Sequence, residues 1–131
     1  MEIARRVLLD THTVLWWVNA DPALTKRART AITQATEVLV SAASAWEMAI
    51  KASMGRLPSA LDLLTDFEGA LAKDGFQALS ITAAHGLRAG HLPGPHKDPF
   101  DRMLIAQAQA ENLTIVSNDS AFDGYGVPRL W

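Results

Sequence analysis

Short apolar runs alternate along this chain with longer segments in which apolar residues recur every three or four positions. Runs of that length predict strands, and the periodic segments predict helices. Val7-Leu8-Leu9 is the first run and ends directly on Asp10. Glu37 to Val40, Phe76 to Ser80 and Leu113 to Val116 are the other strand candidates. Between them, Thr11 or Thr13 opens a helix through Leu15, Trp16 and Val18, which Asn19 to Pro22 breaks. Thr25 is an N-cap for a helix from Lys26 to Ala35. Ser44 opens a helix through Trp46, Ile50 and Met54, with Gly55 at its C-terminal cap. Leu61 to Ala72 predicts one continuous helix, and Thr82 caps a short one that ends near Gly90.

Proline and glycine make His91 to Pro99 a loop. Asp98 caps the next helix, with Pro99 at its first position and Met103, Leu104, Ile105 and Ala108 along its apolar side. Ser117-Asn118-Asp119 is the turn after the last strand, and the tail to Trp131 shows no clear pattern. Strands alternating with helices predict an α/β fold with a mainly parallel sheet.

The composition fits that picture. The chain has 131 residues, 49% of them hydrophobic and 20% charged, which is the make-up of a globular protein. With no repeat, low-complexity tract or Gly/Ser linker, a single domain spanning residues 1–131 is expected. Cysteine is absent, which excludes disulfides and thiolate metal sites. No stretch approaches the roughly 20 apolar residues of a membrane span, and MEIARRVLLD does not read as a signal peptide. A cytoplasmic location with no membrane association is expected. The net charge of −2 counts against a nucleic-acid partner, unless acids are gathered around cations that reverse the local field.

Four acids fall where such gathering is possible. In an open α/β sheet, ligands collect beyond the carboxyl ends of the strands. Asp10 ends the first strand and Asp119 lies just past the last. Glu47 is placed in the first turn of the helix after the second strand, and Asp101 in the first turn of the helix before the last. Glu47 precedes Ile50 and Met54 by three and seven residues, and Asp101 precedes Leu104, Ile105 and Ala108 by three, four and seven, so each acid is expected to share an apolar stripe and point inward. Carboxylates brought together repel and take up protons unless a cation joins them. Oxygen donors without His or Cys suit Mg²⁺ or Mn²⁺ rather than zinc.

Each acid also has a local explanation. Ser44 and Glu47 form a capping-box pattern, and Lys51 is spaced to pair with Glu47. Asp98 and Asp101 suit a helix N-terminus, and Asp119 suits a turn. Four acids at one edge outweigh these separate accounts. His12, His85, His91 and His96 lack the spacing of a zinc pair, while His91, His96 and Lys97 could meet phosphate from their loop. Trp16 and Trp17 read as core or interface rather than as base-stacking platforms.

The blocks VLLDTHTVLWWV, VSAASAWEMAIKASMGRL, HKDPFDRMLIAQAQAENL and TIVSNDSAFDGYGV resemble the PIN domain, and more narrowly the VapC-type toxins of bacterial toxin–antitoxin pairs. The resemblance runs from Val7 to about Val127. It implies a three-layer α/β/α fold with a mainly parallel central sheet. It also implies a Mg²⁺- or Mn²⁺-dependent endoribonuclease that uses metal-activated water on RNA, often tRNA, leaving 5′-phosphate and 3′-hydroxyl ends. Position by position, Asp10, Glu47, Asp101 and Asp119 match the family's catalytic acids, with Asp10 and Asp101 the main metal ligands. Ser117 and Asn118 match residues that support the fourth acid, and Asp98 belongs to the DPFD variant of the third block as a further metal-site acid. Lys51, Arg56, His96, Lys97 and Arg102 are candidate phosphate contacts. The resemblance further implies a homodimer and a small VapB-like antitoxin whose tail lies across the active site.

Two rival classes share features with this reading. A phospho-acceptor signalling domain has this length, an α/β fold and Mg²⁺-binding acids. It carries paired acids after the first strand and a late lysine, however, where this chain has Asp10-Thr11 and Val116-Ser117-Asn118. A catalytically silent PIN module would not need its four acids intact.

Overall fold

A computed structural model describes residues 6–57 and 61–131. Among the described residues, five strands form one sheet: β1 (Arg6–Leu9), β2 (Glu37–Ser41), β3 (Gln77–Leu79), β4 (Thr114–Val116) and β5 (Arg129–Leu130), in the order β3-β2-β1-β4-β5. Every neighbouring pair is parallel, and Leu8 of β1 lies between Leu39 and Ile115. Parallel strands need helical crossovers, and these cover both faces. That is why Val7, Leu8 and Leu9 can be consecutive and all fully buried.

The helices are α1 (Thr11–Val18), α2 (Lys26–Gln34), α3 (Ala42–Ser53), α4 (Leu61–Thr65), α5 (Phe67–Lys73), α6 (Ala83–His91) and α7 (Pro99–Glu111). A 3₁₀ helix spans Ser120–Tyr125. The period of two along each strand divides the core. Val7, Leu9, Val38 and Val40 face Val14, Ile32, Met48 and Leu71 from α1, α2, α3 and α5. Leu8, Leu39 and Ile115 face Leu104, Ile105 and Ala108 of α7, with Phe122 of the 3₁₀ helix. This is the three-layer α/β/α arrangement that the family resemblance implies. Among the described residues, no helix is long and apolar enough to cross a membrane.

Three elements differ from expectation. β2 runs directly into α3, whose N-cap is Ser41 rather than Ser44. Ser41 Oγ accepts from Ala43 N at 3.0 Å, so the Ser44–Glu47 capping box does not form and Glu47 lies in the second turn. The helix expected from Leu61 to Ala72 is divided at Asp66, whose carboxylate leaves the helical path and caps α5 by accepting from Gly69 N. An Asp side chain competes with the helix for backbone N–H groups, and here it restarts the helix instead of continuing it. In the tail, β5 pairs with β4. Arg129 secures it by donating to both carboxylate oxygens of Asp123 and to Ser117 O. A two-residue strand is too short to show a period.

The sheet's chain order places the site. After β1 the chain moves outward through β2 and β3, then returns to the opposite side of β1 to form β4 and β5. The crevice where strand order reverses lies between β1 and β4, at their carboxyl ends.

Because Leu8 is fully buried at the centre of the sheet, Leu8→Ala is expected to cost about 2–5 kcal/mol of stability. Urea unfolding followed by circular dichroism measures this.

Candidate active site

Asp10 leaves β1 at the crevice with an extended backbone and becomes the N-cap of α1. Its Oδ1 accepts from Thr13 N at 2.8 Å, and its Oδ2 accepts from the buried hydroxyl of Ser117, the residue after β4. The same Ser117 Oγ accepts from Asp119 N at 3.0 Å. One serine therefore ties the acid after β1 to the acid after β4. Each Asp10 oxygen keeps a second lone pair for a further ligand. Asp119 caps the 3₁₀ helix through Oδ1, which accepts from Ala121 N at 2.9 Å.

Glu47 reaches the cleft by a different route from the one its sequence spacing indicates. Ile50 and Met54, its supposed stripe partners, are exposed at 37% and 58%, whereas the buried side of α3 carries Ala43, Ser44 and Met48. Glu47 sits at the border of that face. Thr11 Oγ1 donates to its Oε1 at 2.7 Å and also lies 3.0 Å from Ser44 Oγ. Lys51 Nζ donates to Oε2 at 2.7 Å, the i, i+4 pair expected from the sequence. Asp101 does share an apolar stripe, with Leu104, Ile105 and Ala108 all buried.

Asp98 Oδ1 caps α7, accepting from Phe100 N and Asp101 N. Asp101 Oδ2 lies 2.8 Å from His96 Nε2. Burial pushes the Asp101 carboxyl up to about 6. The His96 hydrogen bond and charge oppose that rise, while the nearby charges of Asp98 and Asp10 add to it.

Asp10, Glu47, Asp98, Asp101 and Asp119 line one cavity of about 600 Å³, together with Lys51 and Asn118. The remaining basic candidates have other places. Arg56 and Lys97 are exposed, and neither lines the cavity. Arg102 donates to His96 O at 3.0 Å and to Leu92 O, so its guanidinium holds the loop before α7. Tyr125 Oη accepts from His96 N at 3.0 Å and grips the same loop. Gly94 makes room for that tyrosine: its φ is +100°, and a Cβ there would stand 2.8 Å from Tyr125 Oη.

The wall also contains residues that sequence reasoning did not place in the site: Thr11, His12, Trp16 and Ser120. A usable signal was the i, i+4 spacing of His12 and Trp16 in the helix that starts at Asp10.

The donor set is made of hard oxygens. Among the described residues, no group of three or more His, Asp or Glu side chains converges to hold an ion by itself. The cavity instead offers separate carboxylates with room for water between them. That fits Mg²⁺, which binds through one or two carboxylates and keeps several waters.

The family model of the PIN domain matches residues 7–127. The chain belongs to the PIN domain family. Ribonuclease VapC22 of Mycobacterium tuberculosis (strain ATCC 25618 / H37Rv) is 32% identical to this PIN domain over 124 residues, 94% of each chain. Among solved structures, VapBC2 from Rickettsia felis bound to a promoter DNA fragment is similar with a TM-score of 0.67 at 17% identity, over 94% of this chain and 96% of that one. DNA-bound VapBC from Salmonella typhimurium has a TM-score of 0.62 at 16% identity, over 95% of this chain and 96% of that one. At those identities the solved structures speak for the PIN fold alone.

Asp101 is ionised at neutral pH at some cost to the PIN fold. Its folded pKa stands above the unfolded value of 3.8, so the destabilisation is absent well below 3.8 and fully present above about 6. In chelator at pH 7.5, Asp101→Asn is expected to stabilise the protein by roughly 1 kcal/mol, after allowance for solvent screening. The gain should shrink as pH falls through 6 and vanish near 4, as followed by thermal unfolding across pH.

Proposed function

We propose that this PIN domain is a metal-dependent endoribonuclease, the toxin of a VapBC-type toxin–antitoxin pair, hydrolysing RNA phosphodiesters. The observation that carries the reading is the meeting of carboxylates from four separate parts of the chain in one cavity at the switch point of the sheet. The similarity to a ribonuclease along nearly the whole of both chains supports it.

In this reading Asp10 and Asp101 are the principal ligands of a Mg²⁺ or Mn²⁺ ion, with Asp98 a further donor. Glu47 and Asp119 complete the site or orient the attacking water. A divalent ion bound there supplies positive charge to phosphate oxygens and lowers the pKa of water. The protein's own residues arrange what that chemistry needs. Thr13 N and Ser117 hold the Asp10 carboxylate in one orientation, with Asn118 beside it on the wall. Thr11 and Lys51 hold Glu47. His96 holds Asp101 through Oδ2, leaving Oδ1 with no hydrogen-bond partner among the described residues. Lys51, paired with Glu47, also brings a positive charge to the cavity wall.

The proposed protein partners are a VapB-like antitoxin and a second copy of the chain, acting in the cytoplasm. An apolar groove of about 260 Å³ lined by Trp46, Ile81, Phe100 and Met103 supports a protein partner, since Trp46 is 62% exposed.

Asp10→Asn tests the assignment. Asn caps a helix about as well as Asp, so the fold is expected to persist while RNA cleavage falls roughly 100-fold or more. Chelation should stop the wild type, and added Mn²⁺ or Mg²⁺ should restore it. Gel-resolved RNA cleavage by purified protein free of any partner checks both. Full activity in Asp10→Asn would overturn the ligand role, and cleavage indifferent to chelator would overturn metal dependence.

A further inference from the structure

The cavity has an aromatic wall that the carboxylate chemistry does not use. His12 and Trp16 lie one helical turn apart on α1, which Asp10 itself caps, and both line the cavity. Their rings are stacked, with centroids 5.7 Å apart and planes 26° from parallel. Trp131 packs behind Trp16 at 5.6 Å. Trp16 and Trp131 are half-buried against the core, while His12 is exposed. Trp16 is thus held between the core and His12, with the Trp131 ring tilted 56° against it, and the row ends on an exposed imidazole on the wall it shares with the acids. Trp17, the next residue, does something else. It packs on Phe76 at 5.4 Å under the Arg29 guanidinium and does not line the cavity.

We propose that the His12–Trp16 stack is a base-binding platform that holds one unpaired RNA nucleobase against the open face of His12, next to the carboxylates. The proposal rests on the ribonuclease reading and adds the form of the substrate to it.

Electrostatics favours this. Nucleic-acid affinity normally comes from Lys and Arg on phosphates, but the chain carries a net charge of −2. The lysine on the cavity wall is engaged with Glu47, and Arg102 is engaged with loop carbonyls. Contacts that need no charge supply affinity where these two cations do not. Stacking on aromatic side chains is such a contact, and it accepts any base because every base has a π face. A Trp16 ring already packed on the core and on Trp131 loses little freedom on binding. Bases inside a duplex have both faces covered, so the platform selects single strands or loops.

Abasic scanning tests this. A twelve-nucleotide single-stranded RNA of mixed sequence is cut by the wild type, and a single abasic site is then moved along it. One position is expected to lose about tenfold in kcat/KM when its base is removed. His12→Ala should lose a similar factor on the intact RNA and show no further loss at that position. His12→Tyr, which keeps a ring, should restore both the rate and the positional penalty. Thermal unfolding of each variant separates loss of the platform from loss of the fold, and His12 is exposed enough for the fold to survive. The proposal is overturned if His12→Ala cuts the intact RNA as the wild type does, which would leave the wall to a protein segment. It is equally overturned if the abasic penalty persists undiminished in that variant. Failure of the wild type to cut any single-stranded RNA would instead remove the ribonuclease reading beneath it.

Discussion

Carboxylates gathered in a partly buried cleft need hydrogen-bond donors in place of lost water, and much of the local architecture around this cavity supplies them. Every carboxylate on the wall receives a donor. Asp10 has a backbone N–H and a serine hydroxyl, Glu47 a threonine hydroxyl and a lysine, Asp98 two backbone N–H groups, Asp119 one backbone N–H and Asp101 one histidine. Burial pushes the carboxyl of Asp101, whose one hydrogen-bond partner among the described residues is His96, up to about 6.

Capping and cavity lining are one arrangement here. Asp10, Asp98 and Asp119 each begin a helix while lining the cavity. A helix N-terminus carries partial positive charge and unpaired N–H groups. It is thus a favourable place in a fold for a carboxylate. Capping also fixes the side chain's direction, so the carboxylates are ordered before any ligand arrives.

The loop before α7 shows the same economy with basic residues. Arg102 and Tyr125 bind its backbone from two sides, and Gly94 allows the tyrosine to approach. The loop thereby delivers His96 to Asp101. A guanidinium that reads in sequence as a phosphate contact is spent on carbonyl groups, and its effect on the site passes through the histidine it holds.

The strand–helix alternation, the parallel sheet and the acids at its carboxyl edge were legible in the residues alone. They follow from local rules: apolar runs for strands buried on both faces, caps at helix starts, and the convergence of strand ends in an α/β sheet. The start of α3, the break at Asp66 and the strand β5 were not legible, because each is decided by hydrogen bonds that compete with an equally acceptable local pattern. The side-chain partnerships were hidden as well. Thr11 meets Glu47 and Ser117 meets Asp10 only because β1, β2 and β4 lie side by side, and Trp16 packs on the core while also lining the cavity. Sequence spacing records which residues share one helix or strand. Which residues share a cleft depends on the packing of elements far apart in the chain, and that is set by the whole core at once.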